Sequence, residues 1–273
     1  MTRKQTIRIG LAVLSFFLCF QLFFVEKGGS QIPSEAALKA EYRAAVEDAA
    51  LVDPEEVVDN LVWISPDNPL LIWNEDKTKV LVVTWKSQSS YDRFIKPANN
   101  SSKDESRVIW VTASPQVKQL CREYLKDNPK ATEKDLELRL KQYLGLAPDW
   151  QYDVFVEMWV SPQDLFRPCV DPQVDDRQCN LVFDNATPDK LEGLKPEAGI
   201  QNYRAFYKDL YFKSIRPDHF SQEYTVQQPW TGLGYTYDWS NPNNPVGASE
   251  FILLPGAAYE VRRAEPTANY CLL

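Results

Sequence analysis

Four aromatic residues and one carboxylate lie within the ten residues from Trp230 to Trp239, and they form the candidate ligand site of the sequence. Aromatic rings present flat apolar faces that stack on sugar rings, and an adjacent aspartate can accept hydrogen bonds from sugar hydroxyls. The same alternation is typical of a strand that packs one face on the core, and this structural interpretation stays open. The candidate residues are Trp230, Tyr235, Tyr237, Asp238 and Trp239.

Two further side chains are candidates for acid–base chemistry. Glu157 lies within the apolar run VFVEMWV at 154–160, where burial would raise the pKa of its carboxyl group toward the range of a catalytic acid. The same position also allows Glu157 to face solvent or an arginine. His219 is the single histidine and follows Asp218, so it could act as an aspartate-assisted general base. A structural role is the alternative for both residues.

The sequence predicts no cofactor and no metal centre. One histidine excludes a multi-histidine metal site, and no segment matches a phosphate-binding loop or a dinucleotide-binding fingerprint. Asp171, Asp175 and Asp176 carry oxygen ligands of the kind that calcium prefers, but they lack the glycine and the terminal glutamate of a helix–loop–helix calcium site. Whether the protein is an enzyme therefore stays open.

The cysteines predict two disulfide bonds. Cys19 belongs to an N-terminal apolar run, and four cysteines follow it. An even number of cysteines in an exported chain favours disulfides, and four cysteines allow three pairings. Cys169 and Cys179 bracket a short loop, which favours a bond between them and leaves Cys121 to pair with Cys271. Four buried thiols remain the alternative.

The first 30 residues are predicted to be a signal peptide or an uncleaved membrane anchor. Three basic residues precede the largely apolar run 9–25, whose length lies between that of a cleaved signal and that of a membrane-spanning helix. The basic flank places residues 31–273 on the far side of the membrane. We therefore expect an extracytoplasmic protein that contacts the membrane through its N-terminal segment.

The exported part is acidic, which makes nucleic acid an unsuitable partner. Without residues 1–30 the chain has 26 basic and 37 acidic residues, hence a net charge of −11. Such a charge repels phosphate backbones, and the sequence has no long run of lysine and arginine.

Residues 31–60 are predicted to form a helical stalk or entry segment, and residues 61–273 a single α+β domain on a mixed, largely antiparallel sheet. Ser34 and Asp53 are placed as helix N-caps in the stalk. Helices at 115–126 and 133–144 form a hairpin crossover between two strands, which predicts that those strands pair in parallel. An aromatic stripe predicts one more helix from residue 203. Strands are predicted at 61–64, 70–73, 79–86, 107–112, 152–160, 224–227, 250–254 and 259–263, and residues 229–239 are predicted to be extended as well.

Two strings of residues resemble a family of uncharacterised cyanobacterial extracytoplasmic proteins with an N-terminal hydrophobic leader. They are FVEMWVSPQDLFRPC at 155–169 and PWTGLGYTYDWSNPNNPVGASEF at 229–251. The similarity spans most of the exported region. It implies a periplasmic or thylakoid-lumen location, but no activity, ligand or catalytic residue. Gly232 stands where that family is expected to carry a bulkier basic residue.

The leader, the stalk and the disulfides, without a catalytic motif, predict a membrane-associated extracytoplasmic binding or structural domain. A protein partner in the envelope or the photosynthetic membrane is expected. The alternative is a glycan-binding protein or a glycan hydrolase of the cell envelope, which would use the aromatic residues of 230–239 together with Glu157 or Asp238.

Overall fold

The computed structural model describes residues 32–215 and 228–272. They belong to one compact unit of helices and strands, which confirms the predicted single α+β domain. No helix in these two ranges is long and apolar enough to cross a membrane. The predicted N-terminal membrane or signal helix, His219 and the predicted strand at 224–227 lie outside the described residues.

The described ranges contain nine strands in a seven-stranded sheet and a separate two-stranded ribbon. They are β1 (Val80–Lys86), β2 (Ile109–Ala113), β3 (Val154–Val160), β4 (Leu165–Phe166), β5 (Leu191–Glu192), β6 (Gly199–Ile200), β7 (Tyr235–Tyr237), β8 (Val246–Leu253) and β9 (Tyr259–Pro266). The main sheet has the order β4-β8-β2-β1-β3-β9, with β7 added to β8, and β5 pairs with β6.

Six α-helices lie in the same ranges. They are α1 (Glu35–Ala49), α2 (Gln88–Ser90), α3 (Ser114–Asp127), α4 (Glu133–Tyr143), α5 (Tyr203–Ile215) and α6 (Thr267–Leu272). The side chains of the preceding residues cap α1 and α4. A π-helical turn, Tyr91–Ile95, continues α2. The side chain of Ser34 accepts a hydrogen bond from Ala37 N, and Thr132 forms a capping box with Asp135.

The predicted parallel pairing across the helical hairpin is wrong. β1 lies between β2 and β3 and is antiparallel to both, so β2 and β3 run in the same direction without touching. The apolar run of β1 explains this arrangement, because residues 80–85 are all buried and suit the centre of a sheet. Every strand pair among the described residues is antiparallel, so the predicted mixed sheet is antiparallel there.

Two predicted strands, 61–64 and 70–73, do not form. The backbone of Leu61 and Ile64 bonds to a loop instead of a strand, and the second segment keeps one isolated bridge, from Trp73 to Val80. Asn68, which is buried between Pro66 and Pro69, accepts a hydrogen bond from Leu70 N through its side chain. The prolines lack the N–H that a strand needs, so the apolar residues pack without a ladder.

The segment predicted as a stalk packs on the domain. Ile32 begins the compact unit, well before the boundary predicted at residue 61. The buried face of α1 joins an apolar cluster with Tyr237 and Trp239, to which it contributes Leu38, Tyr42, Ala45, Val46 and Ala49. Residues 32–49 are therefore part of the folded domain rather than a free-standing helix.

Both predicted disulfides are present. Cys121 on α3 pairs with Cys271 on α6, and Cys169 pairs with Cys179. All four residues are buried. Two disulfides fit an oxidising, extracytoplasmic environment.

The helices α3, α4 and α6 cover one face of the main sheet. On this face Val83 and Trp85 of β1 and Phe155 of β3 share an apolar cluster with Val117 of α3 and Tyr270 of α6. Cross-strand partners share a face, so Thr112 of β2 and Glu250 of β8 lie together beside them. This face of the sheet positions the candidate site.

Candidate functional site

The aromatic residues of 230–239 are not an exposed sugar-stacking surface. Trp230 is 8%, Tyr235 1%, Tyr237 2% and Trp239 4% exposed. An exposed ring face is what a surface glycan site requires, so this part of the glycan prediction is corrected. The structural interpretation, in which the segment packs one face of a strand on the core, describes these rings better.

Three of these rings use their polar atoms within the fold. The hydroxyl of Tyr235 donates to the carbonyl of Glu56 at 3.0 Å, and the hydroxyl of Tyr237 donates to the carboxylate of Asp48 at 2.6 Å. The indole of Trp239 donates to the carbonyl of Leu146 at 3.1 Å. These bonds tie β7 and its end to distant segments.

The carboxylate of Asp238 is also bonded to other residues of the fold. Its two carboxylate oxygens accept from the guanidinium of Arg139 at 3.0 and 2.6 Å, a bidentate pair that joins α4 to the residue after β7. The hydroxyl of Ser240 donates to the same carboxylate at 2.7 Å. A carboxylate with this many partners is not free to bind sugar hydroxyls.

Glu157 faces arginines, which is the alternative that the sequence left open for this residue. Its carboxylate is fully buried and accepts from Arg263 at 2.7 Å and from Ser114 at 2.7 Å, with Lys118 at 3.0 Å and Arg262 at 3.2 Å. Burial alone would raise the pKa of Glu157, but the hydrogen bonds from Arg263, Ser114 and Lys118 outweigh it and lower the pKa to about 2. The group is an anion at neutral pH.

The disulfide loop offers no usable metal-ligand set among the described residues. Cys169, Asp171 and Cys179 approach one another as metal ligands do, but both sulfur atoms are consumed in the disulfide. The carboxylate of Asp171 accepts from the backbone N–H of Asn180 at 2.7 Å, which helps to shape the loop.

A cavity of about 190 Å³ lies on the sheet face that carries α3 and α4. Its lining includes two residues of the predicted site, Trp230 and Tyr237, together with rings that the sequence analysis did not select. Seven of the twenty lining residues are therefore aromatic. The additional rings are Trp85, Trp110, Trp150, Tyr152 and Phe155.

The sheet side of the cavity is held rigidly around Trp85. Its ring stacks on Phe155, the cross-strand neighbour, with centroids 5.0 Å apart, and on Tyr152 at 4.9 Å. Its indole N–H donates to the hydroxyl of Thr267 at 2.9 Å. With its N–H satisfied inside the fold, Trp85 offers the cavity a ring rather than a hydrogen-bond donor.

The opposite side is formed where α4 ends and meets β7 and β8. Thr236 donates its hydroxyl hydrogen to the carbonyl of Tyr143 at 2.7 Å and accepts from Ala248 N at 2.8 Å. Gly247 permits this close approach, because a Cβ at that position would collide with the carbonyl of Tyr143. Gly145 then turns the chain with a φ of 65°. The loop that follows contributes Leu146 and Trp150 to the lining.

Glu250 is the unusual member of the cavity lining. It is 6% exposed, its side chain forms no hydrogen bond within the described ranges, and its Oε1 atom is buried without a partner. Burial raises the pKa of Glu250 to about 8, although the charge of Arg167 acts in the opposite direction. From the sequence, Glu250 is predicted only to begin the strand EFILL. The one sequence signal for a special role is an acidic residue that opens a run of apolar residues.

A second unpaired polar atom belongs to the same lining. The indole N–H of Trp230 is buried and has no hydrogen-bond partner within the described ranges. Buried polar groups are nearly always bonded, and an unsatisfied one costs about 1–3 kcal/mol. A buried donor and a buried carboxyl group that both lack partners, in residues that line one cavity, indicate a binding site.

Comparison with protein-family models, with curated proteins and with solved structures finds no match. The site must therefore be interpreted from its own geometry.

Proposed function

We propose that the protein is a membrane-associated extracytoplasmic binding domain that takes a small organic molecule into the aromatic cavity. The observation that carries this proposal is the pair of unpartnered polar groups, the Glu250 carboxyl and the Trp230 indole N–H, in the lining of one cavity. A ligand that bonds to both groups would remove the cost of leaving them unsatisfied.

The size of the cavity limits the ligand to a compact molecule. An engineered protein cavity of about 150 Å³ accommodates benzene, and this cavity measures about 190 Å³. One ring or one branched group of similar size therefore fits into the cavity. Most of the binding energy would come from contact with the aromatic walls, and the two polar groups would orient the ligand.

The glycan hydrolase alternative has no supporting geometry in this cavity. Glycoside hydrolysis generally requires two carboxyl groups on either side of the scissile bond. Of the residues described as lining the cavity, Glu250 alone carries a carboxyl group. Glu157 and Asp238, the two carboxylates considered from the sequence, are held in ion pairs elsewhere.

The finer location is part of the proposal. The basic and apolar leader, the two disulfides and the resemblance to cyanobacterial extracytoplasmic proteins support a periplasmic or thylakoid-lumen domain. In this interpretation residues 1–30 connect the domain to the membrane, and a protein partner in the envelope or photosynthetic membrane receives or supplies the bound molecule.

Filling the cavity should abolish binding without unfolding the protein. Leu144 lines the cavity at the end of α4 and is half-buried, so Leu144→Trp would place an indole in the space. We expect phenol, indole or choline to change the tryptophan fluorescence of the wild type in a saturable way and to raise its melting temperature, and both effects should disappear in Leu144→Trp.

The matched control is Leu120→Trp, the same change at a half-buried position of α3 that is not part of the cavity lining. It should bind like the wild type. If none of the three compounds binds the wild type, or if Leu144→Trp binds them as well as Leu120→Trp does, the cavity is not a binding site and the proposed function is wrong.

A further inference from the structure

We infer that the cavity binds an organic cation, with an ammonium or quaternary ammonium group held against the indole rings and paired with the carboxylate of Glu250. This inference rests on the proposed function and names the chemical class of its ligand.

The walls suit a cation. An aromatic ring carries negative charge on its faces, so a cation near the face is attracted, and indole gives the strongest attraction. Trp110, Trp150 and Trp230 line the cavity. Trp85 lines it as well, but its ring already stacks on Phe155 and Tyr152. Desolvation strengthens the attraction, and the walls of this cavity are largely buried.

The unpaired carboxyl group indicates the same ligand. Two other buried carboxylates have cationic partners, as Glu157 has Arg263 and Asp238 has Arg139, while the buried Asp164 accepts from the backbone N–H of Leu194. The side chain of Glu250 has neither a hydrogen bond nor an ion pair in the described part of the chain. Because a buried carboxylate requires a partner when it ionises, a cationic ligand would pair with ionised Glu250 in the way that arginine pairs with Glu157 and Asp238.

The positively charged side chains described near Glu250 do not pair with its carboxyl group, so a ligand can act as its cationic partner. Arg167 is the cation that influences Glu250, but its guanidinium donates to the carbonyls of Val62 and Asp176 instead. Lys86 is the one lysine or arginine of the cavity lining, and burial lowers its pKa, which disfavours its charged form. It alternates with Trp85 along β1, its cross-strand partner Val154 belongs to the apolar cluster on the other face of the sheet, and it forms no ion pair with Glu250 in the described part of the chain.

The other titratable side chains of the lining are two uncharged phenols. The lining also offers one hydrogen-bond donor, which can bind a second polar group of the ligand. Burial raises the pKa of the phenols Tyr152 and Tyr237, so both stay neutral. The free N–H of Trp230 can bond to an acceptor such as a hydroxyl oxygen near the cationic group. A compact cation that carries an oxygen two or three bonds away satisfies both unpaired groups.

Binding of a cation should release a proton. The empty protein keeps Glu250 protonated below its pKa of about 8, and a cation favours the ionised form. Affinity should therefore rise with pH, by at most about tenfold per pH unit, and level off above about pH 8. Calorimetric titrations in two buffers of different ionisation enthalpy count the protons released.

The decisive comparison uses choline and dimethylbutanol, its uncharged analogue in which a quaternary carbon replaces the nitrogen. We expect choline to bind the wild type at least tenfold more tightly and to release close to one proton below pH 8. Equal binding of the two compounds, or binding of phenol or indole alone, would show that the cavity does not select a cation. The proposed function, binding of a small organic molecule, would still hold. If none of the compounds binds the wild type, the proposed function is wrong as well.

Variants provide a second measurement. Glu250→Gln should lose the preference for choline over dimethylbutanol and the release of a proton, and a far-ultraviolet circular dichroism spectrum shows whether it folds. Trp150→Leu removes a half-buried cavity indole and should weaken choline more than dimethylbutanol. Trp63→Leu removes a half-buried indole that is not part of the cavity lining, and it should leave both affinities unchanged. Equal loss in the two tryptophan variants would contradict the assignment.

Discussion

Glu157 and Glu250 are both buried in the main sheet, yet their surroundings shift the pKa of the two carboxyl groups in opposite directions. Burial alone would raise both. At Glu157, hydrogen bonds from Arg263, Ser114 and Lys118 outweigh burial and give a pKa of about 2. At Glu250 only the charge of Arg167 opposes burial, and the pKa is about 8. Ionised Glu157 therefore stabilises the fold, whereas ionising Glu250 costs stability.

This difference predicts opposite effects of glutamine at the two positions. The folded pKa of Glu157 lies below its ordinary 4.5, so its contribution is present above that pH and is lost as the pH falls toward about 2. Glu157→Gln should cost about 3 kcal/mol at neutral pH, since it leaves three cations unpaired. The folded pKa of Glu250 lies above 4.5, so wild-type stability falls as the pH rises from there to about 8.

Glu250→Gln should accordingly stabilise the ligand-free protein by about 2–3 kcal/mol at neutral pH, with the gain fading toward pH 4.5. Urea unfolding across the pH range measures both variants. Glu35→Gln, which breaks an exposed pair with Lys39, is the control and should not change the free energy of unfolding. Parallel pH profiles for all three variants would refute the electrostatic interpretation.

Sequence alone identified the unusual position of Glu157 but not the direction of its pKa shift. That direction depends on Lys118 and Arg263, which other elements bring to the carboxylate from distant parts of the chain. The importance of Glu250 was equally hidden, because its missing partners can be recognised only when its neighbours across the sheet are known.

The C-terminal helix α6 is an element held mainly by one disulfide and one tyrosine. Cys271 bonds to Cys121 of α3, while Tyr270 stacks on Phe155 with centroids 4.3 Å apart and donates its hydroxyl hydrogen to the carbonyl of Ser114 at 3.0 Å. A helix of six residues has little stability of its own. These contacts keep α6 ordered against the face that also carries the cavity.

Removing the long-range disulfide should destabilise the protein more than removing the short one. The bonds join cysteines separated by 150 and 10 residues. The chain-entropy model gives about 5 kcal/mol for the first and about 3 kcal/mol for the second, with smaller values common in practice. Urea unfolding of the paired serine variants, Cys121→Ser with Cys271→Ser and Cys169→Ser with Cys179→Ser, provides the comparison.

The long-range variant should also expose the C-terminal residues to carboxypeptidase, while the short-loop variant serves as the control and should remain resistant. An equal loss of stability in the two variants, or resistance in both, would show that packing around Tyr270 rather than the disulfide holds α6.

Elements with local signals were predictable, and elements that depend on partners were not. Ser34 caps α1 as expected, since a cap is a contact over three residues. The strands predicted at 61–64 and 70–73 do not form, because Pro66, Asn68 and Pro69 divert the backbone. The insertion of β1 between β2 and β3 is a long-range choice that no local pattern specifies.

At the scale of the whole molecule, the cavity is a product of topology. Its walls come from four separated stretches: residues 83–86, 110–117, 144–155 and 228–250. The ligand site predicted from the sequence lies in the last of these stretches, and its aromatic residues are buried. Two of the five candidates, Trp230 and Tyr237, line the cavity. Aromatic residues serve cores and binding sites equally well, so composition cannot separate the two roles.

Export is a property of the whole chain, and the state of its cysteines tests it. Cys121, Cys169, Cys179 and Cys271 are paired, whereas Cys19 lies in the predicted leader. In protein isolated from the membrane and exported fractions, an alkylating reagent applied without reductant should modify none of the four paired cysteines. The same experiment shows whether the leader is cleaved. An uncleaved anchor adds one reactive thiol, that of Cys19, and a cleaved signal adds none. Mass spectrometry of the denatured, alkylated chain gives the count.

The control is a chain that lacks residues 2–30 and stays in the reducing cytoplasm. There we expect all four cysteines to be alkylated and the melting temperature to fall, because the thiols cannot oxidise and the loops they would close stay open. Treating this protein with an oxidant should restore both bonds and the melting temperature. Alkylation of any of the four cysteines in the exported protein would instead show that the disulfides do not form where the chain resides, and the extracytoplasmic assignment would fail with them.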